Sequence, residues 1–159
     1  MTKILFRNIS FGLVALFFFS AFVSCSKTST IINKSKSELL TQAGWKLTKA
    51  ELRTGTGGAW VDQTGTLAAC DLDDLAFFFI NGNYEQNEGA TKCSPTDPQI
   101  IETGTWVFVS NETQLQTTAT GGGSAQNAVI DQLDESSFVF TSSSVIGGTT
   151  YYYRSTMKH

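Results

Sequence analysis

The sequence predicts an all-β fold: an antiparallel up-and-down barrel of about eight strands behind a short helix. Three observations carry this reading. Apolar residues come in short runs separated by Gly, Ser and Thr, without helical spacing. The connections are mostly short turn signals, such as Asn81-Gly82, residues 110–112 and Gly147-Gly148. No helical pattern of roughly ten residues separates any two strands, which argues against a parallel sheet. Closing such a meander into a barrel removes its exposed edges.

Residues 1–24 stand apart from that fold. Lys3 and Arg7 form a basic start, and residues 11–23 are an apolar run. The run is shorter than the about 20 residues of a membrane span and matches a signal-peptide core. It ends in Phe22-Val23-Ser24-Cys25, which resembles a bacterial lipobox. The resemblance implies cleavage before Cys25 and fatty acylation of that cysteine, with chains such as palmitate. Residues 25–34 then form the lipidated Cys25 and a flexible tether. Ser26-Lys27-Thr28 lacks the acidic run of a surface-export signal, which favours the periplasmic face of the outer membrane.

Three cysteines in an exported chain leave one odd. With Cys25 lipidated, Cys70 and Cys93 have one possible pairing, a disulfide suited to an oxidising compartment. Closing that loop is worth about 3 kcal/mol in the chain-entropy picture.

Residues 35–159 are the predicted barrel domain, one domain's length. Ser35-Lys36-Ser37-Glu38 has the form of a helix capping box, and Gly44 suits a left-handed helix end. The first strand alternates from Trp45 to Leu52, and a short second strand follows around residues 59–61. Residues 75–80 are apolar on both faces, so one face fills the interior and the other needs a cover. Asn81-Gly82 predicts a two-residue type I′ turn into a return strand at 83–88. Further strands are expected at 100–109, 113–118, 128–133, 137–141 and 149–156.

These marks together resemble a known family. Gly44-Trp45-Lys46-Leu47, Cys70 with Asp73 and Asp74 before the apolar strand, Asn81-Gly82, Cys93 and Gly104-Thr105-Trp106 occur in an order similar to the lipocalin-like domain of bacterial cell-envelope lipoproteins. The resemblance covers about residues 37–158. It implies a small antiparallel barrel on a lipid anchor.

The residue types exclude some functions. The net charge is −3 and only 16% of residues are charged, so no basic patch exists to neutralise a run of phosphates, and nucleic acid is not an expected partner. His159 is the only histidine, which leaves a nucleophile–base catalytic pair or a zinc set without its usual residues. No cofactor, metal or catalytic residue is expected. Asp71, Asp73 and Asp74 lack the loop pattern of an EF-hand, and Asp73 or Asp74 reads as the cap of a turn or helix end entering the strand. Tyr151, Tyr152 and Tyr153, with Trp60, offer aromatic surface that strand packing also explains.

The expected function is a lipid-anchored envelope barrel binding a small hydrophobic ligand or an envelope partner. Strand alternation puts Trp45, Leu47, Phe77, Phe79, Trp106, Phe108, Phe138 and Phe140 on the inward face. The alternative is a structural or protein-interaction module whose barrel is filled by those same side chains.

Overall fold

The computed structural model describes residues 33–159. The signal peptide 1–24, Cys25 and the tether as far as residue 32 lie outside the described residues. The remainder is one α-helix, one 3-10 turn at Thr64–Thr66 and nine strands: α1 (Lys36–Leu40), β1 (Trp45–Thr54), β2 (Val61–Asp62), β3 (Leu75–Phe78), β4 (Asn83–Asn87), β5 (Ile100–Val109), β6 (Gln114–Ala119), β7 (Gln126–Leu133), β8 (Ser137–Ile146) and β9 (Thr149–Lys158). Every pairing is antiparallel. Strands β3 to β9 pair in sequence, and β1 lies between β3 and β9. This closes an eight-strand barrel. The ninth strand, β2, only extends the β3 edge of β1, pairing at Glu51 and Leu52.

Helix α1 starts where its sequence says it should. The Ser35 hydroxyl accepts from the Glu38 amide at 3.2 Å, and the Glu38 carboxylate accepts from the Ser35 amide at 2.7 Å. Five residues cannot hold a helix alone. Tertiary contacts fix it instead. Leu40 is fully buried, Lys36 donates to the Glu112 carbonyl beyond β5, and Gln42 donates to the Glu135 carbonyl beyond β7 at 2.9 Å. The helix therefore bridges two turns at the same end of the barrel. Gly44 does not end it, since no left-handed φ occurs there. Glycine is needed because a Cβ would sit 2.6 Å from the Phe77 ring.

The β3–β4 hairpin departs from the expected two-residue turn. Gly82 donates to the Phe79 carbonyl at 2.9 Å, Phe79 donates to the Asn83 carbonyl at 2.8 Å, and only Gly82 has positive φ. The loop is thus Ile80-Asn81-Gly82, a type I turn closed by a left-handed glycine bulge. One extra loop residue shifts the register by one, so that Phe78 faces Tyr84. A two-residue loop would pair Phe79 with Tyr84 instead. Because Tyr84 points inward, the shift turns Phe78 and Ala76 into the barrel and sends Phe77 and Phe79 outside.

Aromatic rings crowd the half of the interior nearest α1. Trp45 and Phe138 lie 5.7 Å apart between ring centres; Phe78 meets Trp106 at 6.1 Å and Phe138 at 6.2 Å, both edge-on. Both indole donors are satisfied by backbone, Trp45 on the Leu40 carbonyl at 2.8 Å and Trp106 on the Phe79 carbonyl at 3.0 Å. Gly104 makes room for this layer: a Cβ there would lie 2.4 Å from the Tyr84 ring and 2.2 Å from the Thr118 carbonyl.

At the opposite end, Cys70 precedes β3 and Cys93 follows β4. Their sulfurs are bonded, with Cα atoms 5.2 Å apart. The link ties the loop before β3 to the loop after β4. Asp73 reinforces it by accepting from the amides of Ala90 (3.2 Å) and Thr91 (2.9 Å) and from the Thr91 hydroxyl. Mass mapping of the unreduced protein should therefore recover Cys70 and Cys93 in one cross-linked peptide pair. Replacing both by Ala should lower unfolding stability by about 2–5 kcal/mol; a double variant with unchanged denaturation midpoint would mean the tie is redundant.

Candidate functional site: the open half of the barrel

The half of the barrel facing the disulfide is hollow. A cavity of about 570 Å3 opens there, within the range of small-ligand pockets. Its floor and walls are apolar, from Leu47, Phe78, Leu115, Phe138, Phe140 and Met157. Phe78, Leu115 and Phe138 are buried, while Leu47, Phe140 and Met157 are half-buried. Nearer the mouth Asp71, Asp74, Gln86, Glu102, Thr117 and Gln126 stand beside Leu67 and Leu75.

Strand alternation builds this gradient. Ala76, Gln86 and Glu102 are register partners on β3, β4 and β5, one step closer to the mouth than Phe78, Tyr84 and Gly104. Leu115 and Thr117 follow the same order on β6, as do Phe138, Phe140 and Ser142 on β8. Strands β4, β5, β6 and β8 therefore turn from the aromatic layer to a polar rim, while β3 stays apolar through Ala76 and Leu75.

Two carboxyl groups are electrostatically distinct. The Tyr84 hydroxyl donates to Glu102 Oε1 at 2.5 Å, and burial followed by this carboxylate pushes the phenol pKa upward. Asp74 has no counter-charge among the described residues. Its Oδ1 is buried without a hydrogen-bond partner. Burial first, then the carboxylates of Glu88, Asp71 and Asp73, raise its pKa to about 6. Asp71 is committed elsewhere, accepting from the Ala68 amide at 3.2 Å and lying 3.2 Å from the Cys93 sulfur.

The inward set expected from the sequence divides in three. Leu47, Phe138 and Phe140 line the cavity. Trp45, Trp106 and Phe108 face inward but belong to the packed half, with Trp106 and Phe108 rings 5.3 Å apart. Phe77 and Phe79 are corrected: the three-residue loop places them outside, Phe77 over Gly44 and Phe79 44% exposed. Sequence reasoning missed Phe78, Tyr84, Leu115, Met157 and the rim carboxylates. Tyr84 stands alone among polar residues in β4, so alternation had little apolar signal to register there.

The other expected features also find places. Asp73 is the turn cap, as its hydrogen bonds above show. The Trp60 ring is not open aromatic surface, because the Arg53 and Arg154 guanidinium groups stack on it at 4.5 Å and 4.4 Å, and Arg53 also covers Tyr152 at 4.6 Å. Arg154 is held in turn by Glu51 at 2.7 Å. His159 stacks on Trp45, 3.8 Å between ring centres, and bonds the Gly44 carbonyl at 3.0 Å. It lies against the packed end, away from the rim carboxylates. In comparisons with known proteins, no family model and no curated sequence matches the chain.

Asp74 makes stability depend on pH with a definite sign. Folded, its carboxyl keeps a proton up to about pH 6; unfolded, it loses it near the ordinary value of about 3.9. Between those values the folded state binds more protons, so stability falls as pH rises and stays lower above pH 6. Asp74→Asn should therefore raise stability at pH 7.5, on the order of 1 kcal/mol after allowing for its partial exposure, and leave it unchanged near pH 3.5. Urea unfolding at the two pH values checks this; an equal effect at both would assign the change to packing.

Proposed function

We propose that this chain is a lipid-anchored cell-envelope protein whose lipocalin-like barrel takes up a small hydrophobic ligand. The observation that carries the reading is the cavity of about 570 Å3 with its apolar floor, closed below by the aromatic layer and α1. A pocket of that size with buried aromatic walls can enclose a small molecule and remove most of its apolar surface from water. The lipobox at Cys25 supports attachment to the membrane by N-terminal acyl chains. The Cys70–Cys93 bond fits the oxidising side of the inner membrane. Together they favour the periplasmic face of the outer membrane. No catalytic role is assigned to any residue.

The packed half of the barrel favours a second reading, a structural or protein-interaction module. The two readings separate in one titration. The neutral fluorophore N-phenylnaphthylamine should become brighter on addition of the protein and saturate at one probe per chain. Phe140→Trp should weaken that uptake several-fold by filling the cavity, while the native fold, read by circular dichroism, is kept. Absence of uptake by the native protein would leave the structural module.

The anchor has its own test. In cells fed an alkyne-tagged palmitate analogue, the native protein should acquire the label. Cys25→Ala should abolish it and leave precursor or soluble protein. Label retained on the variant would refute lipidation at Cys25.

A further inference from the structure

The polar groups around the cavity differ in sign from what a fatty acid or other anion would require. Resting on the ligand-binding reading above, we infer that the barrel selects an amphiphile with a cationic head, a protonated or quaternary amine on an apolar body, and rejects the anionic equivalent.

Three features of the lining point this way. The first is sign. Asp71, Asp74 and Glu102 line the cavity, and the described residues of the lining include no Lys, Arg or His. A carboxylate-headed ligand would bring a like charge beside them, and Asp74, the half-buried one of the three, would repel it more strongly than in water. A cationic head meets the opposite sign.

The second is the unmet demand at Asp74. Its buried Oδ1 has no donor among the described residues, although charged oxygens in such places normally have one. Facing it are Glu88, Asp71 and Asp73 from the flanking loops, all acidic. Asp73 is already satisfied by Ala90 and Thr91. The exposed Lys46, on the neighbouring strand β1, acts on Asp73 and not on Asp74. An ammonium group at the mouth, which Asp74 also lines, would supply the missing counter-charge.

The third is the surface just below. Tyr84, Phe78, Phe138 and Phe140 line the cavity, and aromatic faces attract cations that carboxylates alone would leave half-solvated. The Tyr84 hydroxyl donates into Glu102, which removes the one phenolic donor that could have served an anion. The gradient from rings to carboxylates matches a molecule apolar at one end and positive at the other.

The experiment uses three ligands of one chain length against the full folded domain loaded with N-phenylnaphthylamine. At pH 7.5 and low salt, decylammonium should displace the probe at roughly tenfold lower concentration than decanol, and decanoate should be the weakest. The advantage over decanol should shrink on lowering the pH to 5, as Asp74 takes up a proton. It should also be lost in Asp74→Asn combined with Glu102→Gln, read as the ratio of decylammonium to decanol potency within that variant once circular dichroism shows its native fold. Equal potency of decylammonium and decanol, or decanoate displacing best, overturns the charge preference and leaves the cavity reading standing. If the probe is not taken up at all, the cavity reading fails and the charge preference with it. A preference that survives the double variant would show that the rim carboxylates are not its source, and overturns the inference.

Discussion

Phe78 is the contact on which the barrel depends. Its ring meets Tyr84, Trp106 and Phe138, side chains from β4, β5 and β8, so one residue connects neighbouring strands with the far wall. Burial of such a ring is worth several kcal/mol, and here it also sets the spacing of the walls. Around it, Trp45, Leu40 and Leu115 complete a core that excludes water. With this layer in place the other half of the barrel need not collapse, because the sheet is already closed by the β1–β9 ladder and cannot fold flat. The cavity is therefore a consequence of where the packing stops.

Keeping the open half in shape falls to covalent and polar ties. The Cys70–Cys93 bond and the Asp73 cap hold the loops before β3 and after β4 to each other. Both lie beside Asp74, whose lone buried oxygen is costly to the fold. A loosely held rim would let Asp74 swing into water and escape that cost. The two ties oppose this, and the rim stays acidic and partly dry. Stability is given up at the rim of the cavity, which fits the proposed binding role.

How much of this could be read from the sequence differs from strand to strand. Helix α1 was legible because a capping box is a local device: Ser35 and Glu38 find each other within one turn. β5 was legible because Thr103 to Val109 is rich in β-branched and aromatic residues, with Trp106 and Phe108 on one face. The inward face of β3 was not, since Leu75 to Ile80 is apolar on both sides and alternation cannot choose. The choice was made by the loop, where Asn81-Gly82 suits a two-residue turn but the chain spends Ile80 as well. Strand β8 runs to Ile146, beyond the expected end at residue 141, because Ser142, Ser143 and Ser144 have weak strand preference yet pair fully with β9. Asp74 could be seen as an acid. Its burial among other acids depends on the disulfide drawing two loops together, which no local pattern encodes.

The polar strands carry the remaining lesson. β4, β6 and the start of β7 look like surface segments, with one or two apolar residues among Gln, Asn and Thr. In a filled barrel every inward position would be expected to be apolar, since a buried amide without partners costs about 1–3 kcal/mol. Gln86, Thr117 and Gln126 nevertheless point to the interior. They are affordable only where the interior is wet or a ligand reaches them. Inward positions that run from apolar to polar along β4, β5, β6 and β8 thus mark the barrel as half hollow. The inward residues of β4 show it in two letters, Tyr84 beside the rings and Gln86 at the rim.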